Sequence, residues 1–293
     1  MVLAFYLIDV FTEAPLTGNP LALVTGGDDL DEAVMRAAAR EFNQSETTFL
    51  LLPTRDDATW RLRSFTPSGA EVFGVGHNAL GAWWWLAIAG RLPLNDGSGR
   101  FAQEIGERVL PVVVVGSNGR PRAIWMEQAP PQLGQTVRDV SKLAAALGLD
   151  AQDLMAEAQV VSTGVAHLLV QVSDRSLVNR AQPDASRLER ALREVGGQGC
   201  YLYALGGVEL DSAAHARFFN PTVGIWEDPA TGSAAGPLAS QLVARGLVPD
   251  GTTMIIEQGD AIGRPSRIQV AVLGKRVRVG GAGVVVAEGR LHL

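Results

Sequence analysis

The sequence has little cysteine, little charge and no long apolar run. Its single cysteine, Cys200, cannot form an internal disulfide, which is typical of proteins in a reducing cytosol. Charged residues make up only 19% of the 293, the net charge is −6, and Lys and Arg do not cluster. No segment approaches the roughly 18–20 apolar residues of a membrane span. We therefore expect a cytoplasmic globular protein with no nucleic-acid or membrane partner.

The motifs of several common enzyme classes are also missing. There is no H-E-x-x-H or Cys/His cluster, and His215 and His292 lack the spacing of metal ligands. The pair Gly74-x-Gly76 lacks the third glycine and the strand-to-helix context of a dinucleotide fingerprint. Ser233 is not in a G-x-S-x-G elbow, so we do not expect a nucleophile there. The sequence predicts neither a metal nor a cofactor.

The opening segment M-V-L-A-F-Y-L-I-D-V is apolar, but it has no basic flank and is interrupted by Asp9. We interpret it as a strand rather than a signal peptide. Further along, the pattern predicts a helix over 31–42, capped by Asp28 or Asp29, and a buried Trp-rich helix over 79–89.

The most informative stretch is R-F-F-N-P-T-V-G-I-W-E-D-P-A-T-G-S-A-A-G, over 217–236. It begins as a strand and ends as a helix, with Asp228 and a Thr-Gly-Ser turn between them. A helix start leaves backbone N–H groups unbonded, so Gly232 and Ser233 offer an anion site beside an acid. Because one acid is enough to cap this helix, we expect Glu227 to be structural and Asp228 to be functional.

Four short segments occur twice, in the same order, roughly half the chain length apart. The matching pairs are T-G-N-P-L-A-L-V with T-G-V-A-H-L-L-V, R-S-F-T-P with R-F-F-N-P, G-H-N-A-L-G with G-S-A-A-G, and G-R-P-R with G-R-P-S. This repeat predicts an α+β fold of two similar, pseudo-symmetric lobes, each with a central helix. We expect lobes over 1–128 and 129–293, with a return of the last strand to the first lobe as an open alternative, and a ligand site in the cleft between the lobes.

Two further residues are candidates for proton transfer. Glu46 follows a polar break and precedes an apolar strand; it is either a solvated turn residue or a carboxylate at a buried edge, where desolvation raises its pKa. His77 lies in a glycine-rich turn at a helix start. It is either a structural residue that is hydrogen-bonded to the backbone, or a functional one that acts as a general acid/base or donates to a substrate oxygen. His167, in an apolar strand, we interpret as a satisfied core histidine.

Taken together, these segments resemble the PhzF-like proteins of phenazine biosynthesis. The resemblance rests on the segments G-N-P-L-A-L-V, N-Q-S-E-T-T-F, F-T-P…G-H-N-A-L-G, E-D-P-A-T-G-S-A and G-R-P-S, which occur in order over nearly the whole chain. It implies the diaminopimelate-epimerase-like fold, in which each of two pseudo-symmetric lobes is a mostly antiparallel, barrel-like sheet around a central helix. It also implies a homodimer and a cofactor-independent isomerase similar to trans-2,3-dihydro-3-hydroxyanthranilate isomerase. Asn78 departs from the pattern, since a small residue or proline is expected after the histidine.

The resemblance also implies roles for individual residues. Glu46 would be the catalytic acid/base, supported by His77 and Asp228. The substrate, a small carboxylated metabolite, would be bound by a set of helix-start and neighbouring residues: Ser45, Gly76, Asn78, Gly232 and Ser233.

Two alternatives stay open at this point. One is a non-catalytic metabolite-binding protein on the same fold. The other is an epimerase that uses Glu46 together with His77 or Asp228 as bases on opposite faces of the substrate. A two-thiol racemase is excluded, because Cys200 is the only cysteine and lies outside both helix starts.

Overall fold

The computed structural model describes residues 1–155 and 157–293. The chain divides into two compact units. The first comprises Met1–Glu127 with Gly280–Leu293, and the second comprises Gln128–Val279. Both are rich in strands and contain few helices, so the predicted α+β class is confirmed. Within the described residues, no helix is long and apolar enough to span a bilayer.

The first unit is a mixed sheet that contacts a central helix. Its elements, labelled in chain order, are β1 Val2–Val10, β2 Asn19–Thr25, α1 Glu32–Phe42, β3 Glu46–Leu51, β4 Trp60–Phe65, β5 Glu71–Val72, α2 His77–Ile88, β6 Gly99–Ile105, β7 Arg108–Ser117, β8 Arg120–Gln128 and, after the second unit, β18 Gly283–His292. Strand β1 pairs antiparallel with β2 and β18, and β2 pairs parallel with β3. Strand β4 pairs antiparallel with β3 and β5 and parallel with β6.

The second unit repeats this topology. Its elements are β9 Gln132–Val137, α3 Ser141–Leu147, β10 Ala158–Ser162, β11 Ala166–Gln171, α4 Arg175–Arg180, α5 Ala185–Val195, β12 Gly199–Leu205, β13 Ser212–Asn220, β14 Ile225–Asp228, α6 Gly232–Ala244, β15 Thr253–Gln258, β16 Ser266–Leu273 and β17 Arg276–Gly281. Strand β10 pairs antiparallel with β9 and β11, and β11 pairs parallel with β12. Strand β13 pairs antiparallel with β12 and β14 and parallel with β15.

Three of the four repeated segments occupy equivalent positions in the two units, but the fourth does not. Gly119 lies in the turn between β7 and β8, whereas Gly263 lies between β15 and β16. The place equivalent to the latter is the turn between β6 and β7. The G-R-P match is therefore coincidental.

The Trp-rich helix α2 is buried as its composition predicts. Ten of its twelve residues are buried, and it contacts β1, β2, β3 and β18. The predicted cap of α1 is wrong: the N-cap is Asp31. Asp28 instead accepts a hydrogen bond from the backbone N–H of Leu52.

Each unit contains an equivalent ion pair between two paired strands, half-buried between β4 and β5 in the first unit and more deeply buried between β13 and β14 in the second. Arg63 binds both oxygens of Glu71 at 2.7 and 2.8 Å, and Arg217 binds both oxygens of Glu227 at 2.8 and 2.7 Å. Each guanidinium also lies over a phenylalanine ring, Phe65 or Phe219. A planar guanidinium suits both contacts. Glu227 therefore has the structural role expected of it.

Each unit also contains a buried carboxylate that holds a loop between strands. Glu104 accepts hydrogen bonds from the backbone N–H groups of Thr54 and Arg55. Glu257 accepts them from the backbone N–H groups of Val208 and Glu209. Burial alone would raise the pKa of each carboxyl, but these bonds, together with hydroxyl donors, outweigh it and lower both pKa values.

We expect these two carboxylates to contribute to stability at neutral pH and to lose that contribution in acid. Because their folded-state pKa values lie below the unfolded values, the contribution is complete above the unfolded pKa of about 4.3 and disappears as the pH falls through the folded value. Glu104→Gln and Glu257→Gln should each lower the free energy of unfolding by about 1–3 kcal/mol at pH 7 and by less at pH 3.

Denaturant unfolding at several pH values measures this effect. Glu107→Gln is the matched control, since Glu107 is exposed. Equal losses of stability at pH 7 and pH 3 would contradict the interpretation.

Candidate active site

Glu46 lies at the beginning of a buried strand in the first unit. It is the first residue of β3, is half-buried, and has a buried Oε2 atom. Because β3 runs parallel to β2, Leu21 lies opposite it. The expectation of a carboxylate at a buried edge is therefore confirmed for Oε2.

The residue before it, Ser45, brings a second site residue alongside. Ser45 Oγ lies 3.3 Å from His77 Nε2 and donates to Asn19 Oδ1, also at 3.3 Å. His77 is buried at the first position of α2, and burial lowers the pKa of its imidazole to about 4. The ring is therefore neutral at neutral pH. The structure brings Ser45 and His77 together, and Asn19 was not indicated by sequence reasoning.

Asn78 does something different from the substrate binding expected of it. Its Oδ1 accepts the backbone N–H of Gly76 at 2.9 Å, and its Nδ2 donates to Ser64 Oγ and to the carbonyl of Gly74. Both amide protons are thus engaged inside the unit. Asn78 holds the glycine turn in place, and the N–H of Gly76 is occupied as well. The donors that α2 leaves without an intrahelical acceptor begin at His77.

Asp228 in the second unit is fixed by polar neighbours. Thr231 Oγ1 donates to Asp228 Oδ2, and Gln258 Nε2 donates to the backbone carbonyl of Asp228 at 2.6 Å. Gln258 also accepts from the backbone N–H of Thr231, the N-cap of α6. Burial, and then the charge of Asp228, raise the pKa of the Tyr201 phenol, which is fully buried. Asp228 thus accepts hydrogen bonds through both its side chain and its backbone carbonyl, which fixes it in an ordered turn.

Ser233, at the second position of α6, has a partner that sequence reasoning missed. Its Oγ lies 3.2 Å from Nε2 of His167, a residue that burial keeps neutral by lowering its pKa to about 3. His167 is a core residue as expected, but among the described residues its Nδ1 atom has no hydrogen-bond partner. The missed signal was its place in the repeat, where His167 aligns with Leu21, the residue opposite Glu46.

A hydrogen bond also fixes a backbone carbonyl group at the start of the same helix, α6. Gln128 Nε2 donates to the carbonyl of Gly232 at 2.9 Å, and Thr163 Oγ1 donates to Gln128 Oε1 at 2.6 Å. Within α6, the N–H groups of Ala234 and Ala235 bond to the carbonyl of Thr231. Gly232 and Ser233 are thus the positions whose N–H groups have no acceptor inside the helix, as predicted.

One cluster has the composition of a metal site, although spacing along the chain did not indicate it. His215, Glu257 and Asp260 place ligand atoms within 4.8 Å of one another. However, Glu257 already accepts hydrogen bonds from two backbone N–H groups and from Ser212 Oγ. The first unit has the same arrangement with Arg61 in place of His215, since Arg61 lies opposite Glu104 as His215 lies opposite Glu257. The first unit has a cationic side chain at the equivalent position. We therefore interpret the cluster in the second unit as a set of contacts that holds a loop, and not as a metal site.

We expect His77 and His167 to remain neutral throughout the physiological range. Their pKa values of about 4 and about 3 lie below the unfolded value of about 6.5. The unfolded chain therefore binds protons first as the pH falls, and both residues lower the free energy of unfolding below about pH 6.5. NMR titration of the ring protons, assigned with His77→Gln and His167→Gln, should show no midpoint above pH 5. A midpoint near 6.5 for either residue would show that its ring is solvated.

The comparisons with known proteins agree with this architecture. The family model for phenazine biosynthesis-like proteins, PhzC-PhzF, matches residues 8–289. The chain is 35% identical over 294 residues to trans-2,3-dihydro-3-hydroxyanthranilate isomerase of Pseudomonas aeruginosa, with 99% of each chain covered. A PhzF-family structure from Bacillus anthracis superposes with a TM-score of 0.91 at 26% identity and 100% coverage of both chains. A hydroxyproline epimerase from Agrobacterium vitis shares the fold alone, with a TM-score of 0.64 at 12% identity, covering 100% of this chain and 93% of that one. This chain therefore belongs to the phenazine biosynthesis-like, or PhzC-PhzF, family of isomerases.

Proposed function

We propose that this protein moves a proton between two carbons of a small carboxylated metabolite, by acid/base catalysis and without a cofactor. Glu46 takes the proton from one carbon and returns it to another on the same face. The substrate and product are isomers, so no oxidant or reductant is needed. The family relative from P. aeruginosa is named for the isomerisation of trans-2,3-dihydro-3-hydroxyanthranilate, which makes that compound the first substrate to test.

The observation that carries this proposal is the difference between the two units at the position of Glu46. Glu46 lies opposite Leu21, and the repeat aligns Leu21 with His167, which lies opposite Gly199. A Cβ atom at Gly199 would lie 2.4 Å from Phe218 Cζ. The second unit thus has no room for an acid at the equivalent position. One such carboxylate suits a proton transfer on a single face better than an exchange between opposite faces.

The remaining site residues have supporting roles in this proposal. His77 and Asp228 orient the substrate, and Ser45 positions His77. Gly232 and Ser233 bind the substrate carboxylate or a developing oxyanion through N–H groups at the start of α6.

Two alternatives remain as outcomes of the tests. A non-cysteine epimerase would use His77 or Asp228 as a second base, and it would invert one centre without moving a double bond. A metabolite-binding protein would bind the same compounds and leave their C–H bonds intact. The intact set of Glu46, His77 and Asp228 favours catalysis, since binding does not require a proton-transfer group.

Location and assembly are inferred from the composition and from the family. A single buried cysteine fits a cytoplasmic protein. We further infer a homodimer, which light scattering of the purified chain would measure.

We expect Glu46→Gln to lower turnover by about 10³-fold or more while binding changes little, because amide and carboxylate have nearly the same shape and only the latter accepts a proton. Turnover is followed by NMR in deuterated water with trans-2,3-dihydro-3-hydroxyanthranilate and a panel of small hydroxy and amino acids. Glu41→Gln, at an exposed position of α1, is the matched control.

Each outcome of that experiment has a distinct meaning. A moved double bond with deuterium on one face supports the isomerase. Inversion at a single carbon indicates an epimerase, and binding without deuterium incorporation indicates a binding protein. Full activity of Glu46→Gln would sink the assignment of the base.

The adjacent acids Glu227 and Asp228 should separate stability from activity. Glu227→Gln leaves Arg217 as an unpaired buried cation, and such losses cost roughly 3–5 kcal/mol. Asp228→Asn keeps the size of the side chain and should lower turnover with a smaller change in unfolding. Thermal unfolding and turnover measured on both variants test this. The reverse pattern would assign the functional role to Glu227.

A further inference from the structure

Three polar side chains of the first unit form a line from β2 to the start of α2. Asn19 is fully buried at the beginning of β2. Ser45 Oγ donates to Asn19 Oδ1 at 3.3 Å and lies 3.3 Å from His77 Nε2. The two contacts of Ser45 therefore share a single hydroxyl proton.

Counting that proton decides which nitrogen of His77 is protonated. An amide oxygen can only accept a hydrogen bond, so Ser45 donates its proton to Asn19. Ser45 then has only lone pairs for His77, and the hydrogen of the neutral ring must lie on Nε2. The lone pair of the ring is left on Nδ1.

We propose that Asn19 is a positioning residue that fixes His77 with its proton on Nε2, so that His77 contacts the substrate only as a hydrogen-bond acceptor through Nδ1. This deepens the proposed function and rests on it. It revises the expectation that His77 donates to a substrate oxygen. It also narrows the substrate class to carboxylic acids that carry a hydrogen-bond donor, an amino or a hydroxyl group, for His77 to accept.

The serine–histidine pair of the second unit gives an independent comparison. His167 Nδ1 is buried without a partner among the described residues, and a buried N–H without an acceptor is costly. The proton of His167 therefore also lies on Nε2, where it is donated to Ser233 Oγ at 3.2 Å. Ser233 accepts this bond and keeps its own proton for another acceptor. The two pairs thus differ in whether the serine hydroxyl proton is available. The proton of Ser45 is donated to Asn19, whereas Ser233 can donate its proton to an anion.

The test is long-range ¹H–¹⁵N NMR of the histidine rings in the ¹⁵N-labelled full-length protein at pH 7, which distinguishes the two nitrogens of each ring. Of the four histidines, His77 and His167 are assigned with their Gln variants. We expect both rings to be protonated at Nε2 in the unmodified protein. This measurement needs no substrate, and the Gln variants serve only to assign the signals.

Variants then test the role of Asn19. In Asn19→Ala the Ser45 hydroxyl is released, so His77 should shift towards protonation at Nδ1, while His167 is unchanged and serves as an internal control. Asn19→Asp keeps an acceptor oxygen and should restore the Nε2–H form. With a substrate in hand, Asn19→Ala should lower kcat about tenfold, the scale of one neutral hydrogen bond, with a smaller effect on KM. If Asn19→Ala does not fold, Ser45→Ala removes the acceptor of the His77 Nε2–H directly and should give the same shift.

Protonation of His77 at Nδ1 in the unmodified protein would overturn the inference, as would an unchanged ring in a folded Asn19→Ala or Ser45→Ala variant. Either result leaves the isomerase proposal intact. Conversely, a complete absence of turnover would refute the isomerase while the ring spectra still decide the proton on His77.

Discussion

Each unit buries the first turn of a long apolar helix, and the backbone groups of that turn need partners that bulk water does not reach. A buried donor or acceptor without a partner costs about 1–3 kcal/mol, a sizeable fraction of the roughly 5–15 kcal/mol by which a domain is stable. Asn78 meets this need in the first unit by holding Gly76. Gln258 and Gln128 meet it in the second, at Thr231 and Gly232. The candidate site consists of the polar groups near these helix starts that Asn78, Gln258 and Gln128 do not bind.

The two units use one topology for different chemical ends. Arg63 with Glu71 and Arg217 with Glu227 form matching ion pairs, and Glu104 and Glu257 hold matching loops. These shared devices maintain the sheet and do not differ between the units. The units differ at the position of Glu46, which the alignment of the repeat matches with Gly199. The proposed catalytic role therefore belongs to a position at which the two units differ.

Burial decides the charge states of the site as well as its shape. His77 and His167 are both too buried to carry a positive charge at neutral pH, and each bonds through Nε2 to a serine hydroxyl. Neutral histidines cannot compete with the N–H groups of a helix start for an anion, nor do they weaken the basicity of a neighbouring carboxylate. A charged imidazole at either place would do both. The proposed base, Glu46, thus works beside neutral partners in its own unit.

Local sequence was enough to find the repeat, the buried Trp-rich helix, Glu46 and both helix starts, because periodicity, turn residues and family motifs all act within a few residues. It also separated Glu227 from Asp228 correctly on the structural side. It failed where the deciding contact joins distant segments: Asn19 with Ser45, His167 with Ser233, and Gln258 with Thr231. It also accepted a coincidental G-R-P match and assigned Asn78 to a ligand. Only tertiary structure decided these points, because a hydrogen bond between remote strands depends on the register of the sheet, which leaves no period in the sequence.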